Sequence, residues 1–109
     1  FSPIFVDDVL DSLVTAIDRR LCGTYHIGGP RGLSRYDMLL CLIKEIEKYR
    51  IITTHIEPCS LSEFYFLEER PQDVTLNSTK VQDATSLKFR TVEKMCAHFA
   101  KHFYGKPTR

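Results

Sequence analysis

Three runs of apolar residues at helical spacing, separated by short β-branched or aromatic runs and by glycine and proline turns, constrain this chain's fold most. Val9, Leu10, Leu13, Val14 and Ile17 share one face of a helix expected over about Asp8 to Arg20. Asp7-Asp8 suit its start, and Arg19-Arg20 suit its C-terminal end. Ser34 is placed to cap a second helix, with Asp37 three residues on and Met38, Leu39, Leu42, Ile43, Ile46 and Tyr49 as its apolar stripe. Thr91 caps a third helix running to about Tyr104, whose buried face is Val92, Met95, Cys96, Phe99 and Phe103. Shorter helical turns are expected after the capping box Ser60-Leu61-Ser62-Glu63 and, capped by Ser78 or Asn77, over Lys80 to Ala84.

Between these patterns, Phe1 to Val6, Thr24 to Ile27, Ile51 to Ile56 and Asp73 to Asn77 are apolar or β-branched and read as short strands. Strands alternating with helices over short connections predict an α/β fold, with short strands alternating with three main helices, in which strands can be parallel. A chain of 109 residues, 43% hydrophobic and 27% charged, suits a single domain spanning 1–109. The net charge of +1 comes from interspersed acids and bases and presents no basic face, so neither a nucleic-acid nor an acidic-membrane partner is expected. No apolar run approaches the ~20 residues that cross a bilayer. Cys22, Cys41, Cys59 and Cys96 lie far apart, two of them inside apolar helical patterns, which reads as reduced thiols in a cytoplasmic protein.

The segment Glu69 to Lys80 carries the best candidate site. Pro71 fixes its own φ and drives Arg70 toward an extended backbone, so the Arg70 guanidinium can be held at a repeatable angle for a carboxylate or phosphate. Asp73 lies on the same loop. The plainer reading, an exposed arginine and a solvated turn acid, stays open. Gly28-Gly29-Pro30-Arg31-Gly32-Leu33-Ser34 precedes a helix, yet neither G-x-G-x-x-G nor G-x-x-x-x-G-K-[ST] can be drawn through it, which favours a plain turn. His98 and His102 are four apart on a helix, but two ligands without a third do not make a metal site. There is no G-x-S-x-G, no pattern marking a nucleophilic cysteine, and no tyrosine followed four residues later by lysine. No residue of the chain is expected to be catalytic.

Taken in order, Phe5-Val6-Asp7-Asp8-Val9, Gly23 to Gly29, Leu33 to Met38, Ile56-Glu57-Pro58 and Arg70 to Lys80 resemble the C-terminal part of extended short-chain dehydrogenases. The likeness is nearest to dTDP-4-dehydrorhamnose reductases, with the regulatory β subunit of methionine adenosyltransferase as a non-catalytic relative. The resemblance implies the C-terminal lobe of an extended Rossmann-type fold, closing over a nucleotide-sugar substrate that an NADP(H)-dependent half reduces. By it, Arg70 and Asp73 face the nucleotide's phosphates and ribose. Since the family's glycine fingerprint and tyrosine-lysine pair are missing here, the chain is expected to bind no cofactor by itself and to be inactive alone. It is expected to be part of a longer protein or assembly, associating with a Rossmann half or with another protein chain. The alternative is a regulatory subunit that binds a partner enzyme.

Overall fold

The computed structural model describes residues 1–105, which form four α-helices and one 3₁₀ turn: α1 (Val6–Asp18), α2 (Arg35–Ile46), the turn Leu61–Glu63, α3 (Thr79–Thr85) and α4 (Val92–Tyr104). The helix starts follow the predicted side-chain chemistry in four of five cases, α3 through Asn77, one of its two expected caps. Ser34 accepts from the Asp37 amide at 3.0 Å, Thr91 accepts from the Lys94 amide at 3.3 Å, and Ser60 and Glu63 form the reciprocal capping box. At α1 the cap position is Phe5, without a side-chain bond, and Asp7 and Asp8 lie inside the first turn, where their charge favours the N-terminal dipole. At α3 Asn77 accepts from the Thr79 amide, because Ser78 is committed elsewhere.

The α/β fold predicted from the sequence is wrong: among the described residues there is no strand. A strand exists only when a neighbour completes its ladder of backbone bonds. The four segments read as strands carry the right composition, but β preference reflects a packed pleated surface rather than the backbone itself. Here the bonds that reach them are isolated and irregular rather than a ladder. Gly29 N–H donates to Ser2 O at 2.9 Å, Leu33 N–H to Phe1 O at 2.8 Å, Gly28 N–H to Ser78 Oγ at 2.7 Å and Leu76 N–H to Ser2 Oγ at 3.0 Å. The result is a junction of three extended segments, near residues 1–4, 24–33 and 73–78, knotted by irregular bonds. Ile51, in another expected strand, is 92% exposed.

The core lies where α4 crosses α2. Val92, Met95 and Cys96 are buried there, with Phe5, Leu33, Met38, Cys41 and Leu42 packed around them. Phe99 and Phe103, expected on the same face, remain open. The α1 helix inverts its predicted polarity: its buried residues are Asp8 and Ser12, while Leu10, Leu13, Val14 and Ile17 are 49–75% exposed. Asp8 ties it to the lead-in of α4, accepting from the Arg90 amide at 2.8 Å, and Arg19 ties it to α3 by donating to Ala84 O at 2.7 Å. The molecule is a slab of 49 × 44 × 19 Å with a radius of gyration of 17.1 Å. A closed domain of this length has a radius near 13 Å. The thin shape leaves apolar surface uncovered.

Candidate functional site

The first turn of α2, the segment 56–59, the aromatic residues after the 3₁₀ turn and the segment 70–74 surround a groove of about 750 Å³. Each wall has a local cause. The Ser34 cap fixes where α2 begins, so Arg35 and Tyr36 face the groove from its first turn. The capping box at Ser60 and Glu63 turns the chain, and Phe64 and Phe66 follow it into the groove wall. Pro71 continues the lining next to Arg70. A second hollow of about 320 Å³ adjoins it, and Arg70, Phe64 and Phe66 line both.

Arg70 therefore lies at the meeting of two cavities. Its guanidinium rests over the Phe66 ring, 4.6 Å from the centroid, and makes no ion pair among the described residues. Stacking holds the plane of the cation while its edge donors stay free, an arrangement suited to an anion arriving in that plane. Asp73 is placed differently. It lines neither hollow; its Oδ1 accepts from the Thr75 amide at 2.9 Å, and bonding to Thr75, hydroxyl first and then amide, holds the carboxyl below the usual carboxylate range. The structure thus brings Arg70 to the groove and turns Asp73 into the turn behind it.

Two groove residues escaped the sequence reading, Arg35 and Tyr36. They sit where a helix cap was expected, and no sequence spacing connects residue 35 to residue 70 across the groove. The glycine turn is accounted for by packing. A Cβ at Gly29 would overlap the Pro3 carbonyl, and one at Gly32 would meet the Thr75 side chain, so these glycines let segments of the chain approach one another. His98 and His102 stack 6.4 Å apart with Phe5 against the first and Phe103 against the second, and no cluster that could hold a metal ion occurs among the described residues.

A lobe that offers a stacked arginine and aromatic walls around an open groove has the parts of a ligand-binding module. The RmlD substrate binding domain matches residues 1–104, and the chain belongs to that family, the substrate-binding region of dTDP-4-dehydrorhamnose reductase-like proteins. No curated protein and no solved structure matched it. The family is in general NADPH-dependent. The glycine turn does not fit a pyrophosphate, because Pro3 and Thr75 fill the space at Gly29 and Gly32. No helix of the described residues is long and apolar enough to cross a membrane.

Proposed function

We propose that the chain is the substrate-binding part of an NADP(H)-dependent sugar-nucleotide reductase resembling dTDP-4-dehydrorhamnose reductase, inactive alone, in which Arg70 binds the nucleotide portion of the substrate and Asp73, expected to bind it too, holds the loop beside Arg70 instead. The observation that carries this reading is the Arg70 guanidinium, braced on Phe66, without an ion pair among the described residues, and lining both hollows. An arginine held this way recognises phosphate by paired N–H donors, and the neighbouring aromatic faces suit a base or sugar ring. Asp73 lines neither hollow, and its part in this reading is to hold the loop beside Arg70 by accepting from the Thr75 amide at Oδ1.

The exposed stripe of α1 supports a second element of the same reading. Leu10, Leu13, Val14 and Ile17 form an apolar face that packing within this chain leaves open, and a dinucleotide-binding lobe is the surface proposed to cover it. Four free thiols agree with a cytoplasmic setting. Calorimetric titration of the intact protein with a dTDP-sugar tests the reading. Wild type is expected to bind, and Arg70→Ala to weaken binding by about tenfold or more, the worth of a charge-assisted hydrogen bond. Equal affinity in the two proteins would return Arg70 to the solvated surface.

A further inference from the structure

We propose that Arg35 is a second phosphate-binding cation of the groove, so that Arg35 and Arg70 each take one phosphate of a nucleoside diphosphate. The inference rests on the reading of the groove as a nucleotide-sugar site. Both arginines line the same groove, one from the first position of α2 and the other from the segment opposite in sequence. Each guanidinium lies over an aromatic ring, Arg35 at 5.8 Å from the Phe1 centroid and Arg70 at 4.6 Å from that of Phe66. Arg31 pairs with Glu93, Arg90 with Asp7 and Asp8, and Arg19 donates to a carbonyl, while Arg50, over the Tyr104 ring at 4.9 Å, lines neither hollow. Arg35 and Arg70 make no ion pair among the described residues. The acid that lines the groove, Glu57, has its Oε1 2.9 Å from the His55 Nε2, so it is engaged locally while the two cations are free.

A guanidinium seated on a ring face keeps its in-plane donors available, and that fork matches two oxygens of a phosphate. Two such forks on one groove offer a separate pair of donors to each of two neighbouring phosphates. In this assignment Arg70 takes the phosphate next to the ribose and Arg35 takes the next one. Arg35 would then set the preference for diphosphates over monophosphates.

The test measures the affinity of the intact protein for dTDP and for dTMP in wild type, Arg35→Ala, Arg35→Lys and Arg70→Ala. Arg35→Ala is expected to weaken dTDP by about tenfold or more and dTMP by less than about threefold, erasing the diphosphate preference. Arg35→Lys, which keeps the charge and the helix start, is expected to recover part of the dTDP affinity but not the paired geometry. If Arg70→Ala weakens dTDP while Arg35→Ala leaves it unchanged, or if Arg35→Ala weakens both nucleotides equally, the role of Arg35 is overturned and the groove reading stands. If wild type binds neither nucleotide, the groove reading itself falls.

Discussion

Replacing Asp8 with alanine tests how α1 is fastened to the rest of the chain. Asp8 is 7% exposed, and its Oδ2 accepts from the Arg90 amide at 2.8 Å, two residues before α4 begins. A hydrogen bond to an ionised group contributes about 1.5–3 kcal/mol, and its loss here strands a part-buried N–H, so Asp8→Ala should cost about 2.5 kcal/mol. The Arg90 side chain contributes less. Its Nη1 stands 3.7 Å from Asp8 and 3.9 Å from Asp7, too far for a hydrogen bond, and the group is 43% exposed. Such an open pair is worth at most about 1 kcal/mol, with about 0.5–1 more from stacking over Phe5. Asp8→Asn keeps an acceptor and should lose only about 1 kcal/mol. Urea unfolding followed by circular dichroism reads all three variants; with a slope near 1.5 kcal/mol per M, Asp8→Ala should move the midpoint by roughly 1.7 M. Amide exchange at Arg90 should quicken in Asp8→Ala and not in Arg90→Ala. An Arg90→Ala variant as destabilised as Asp8→Ala would refute the reasoning, because the side-chain pair rather than the amide bond would then hold the joint.

Ser78→Ala should lower stability by about 3 kcal/mol, since one hydroxyl serves both backbone groups of Gly28, at 2.7 and 2.9 Å, inside the junction. Ser34→Ala, which removes a helix cap, should cost about 1 kcal/mol, and parity between the two in urea would contradict the ranking. Iodoacetamide at neutral pH should label the exposed Cys22 and Cys59 in the folded protein and spare Cys96, whose thiol is pushed up to about 12 by burial and by the neighbouring Cys41. The fold favours the neutral thiol, so its contribution to stability is complete below the ordinary thiol value of ~8.5 and is lost as the pH rises toward about 12. Mass spectrometry showing rapid Cys96 labelling in the folded state would overturn this placement.

Helices were legible in the sequence because their signals are local. Ser34, Ser60 and Thr91 each satisfy an amide two or three residues away, so the caps can be read without knowing the tertiary structure. Strands depend on a partner, and the described residues do not supply one to Thr24–Ile27 or Ile51–Ile56, where composition alone misled. The orientation of α1 was invisible for a related reason. Its apolar stripe gave the helix correctly, but Asp8 and Ser12 turn inward because Arg90 and a backbone carbonyl satisfy them, and those contacts span many residues or hide within one turn. For the site, Pro71 pointed to Arg70 through backbone stiffness. Arg35 gave no such sign, because its relation to Arg70 exists only across the groove.

Hydrogen–deuterium exchange of the intact protein with and without a dTDP-sugar tests most directly whether this groove is the binding site. Slower exchange in peptides covering Ser34–Tyr36 and Arg70–Val74, with α1 unchanged, is the expected result. Protection at Gly28–Gly32 with none at those two segments would contradict it, because the nucleotide would then be held by the glycine turn rather than by the arginine-lined groove.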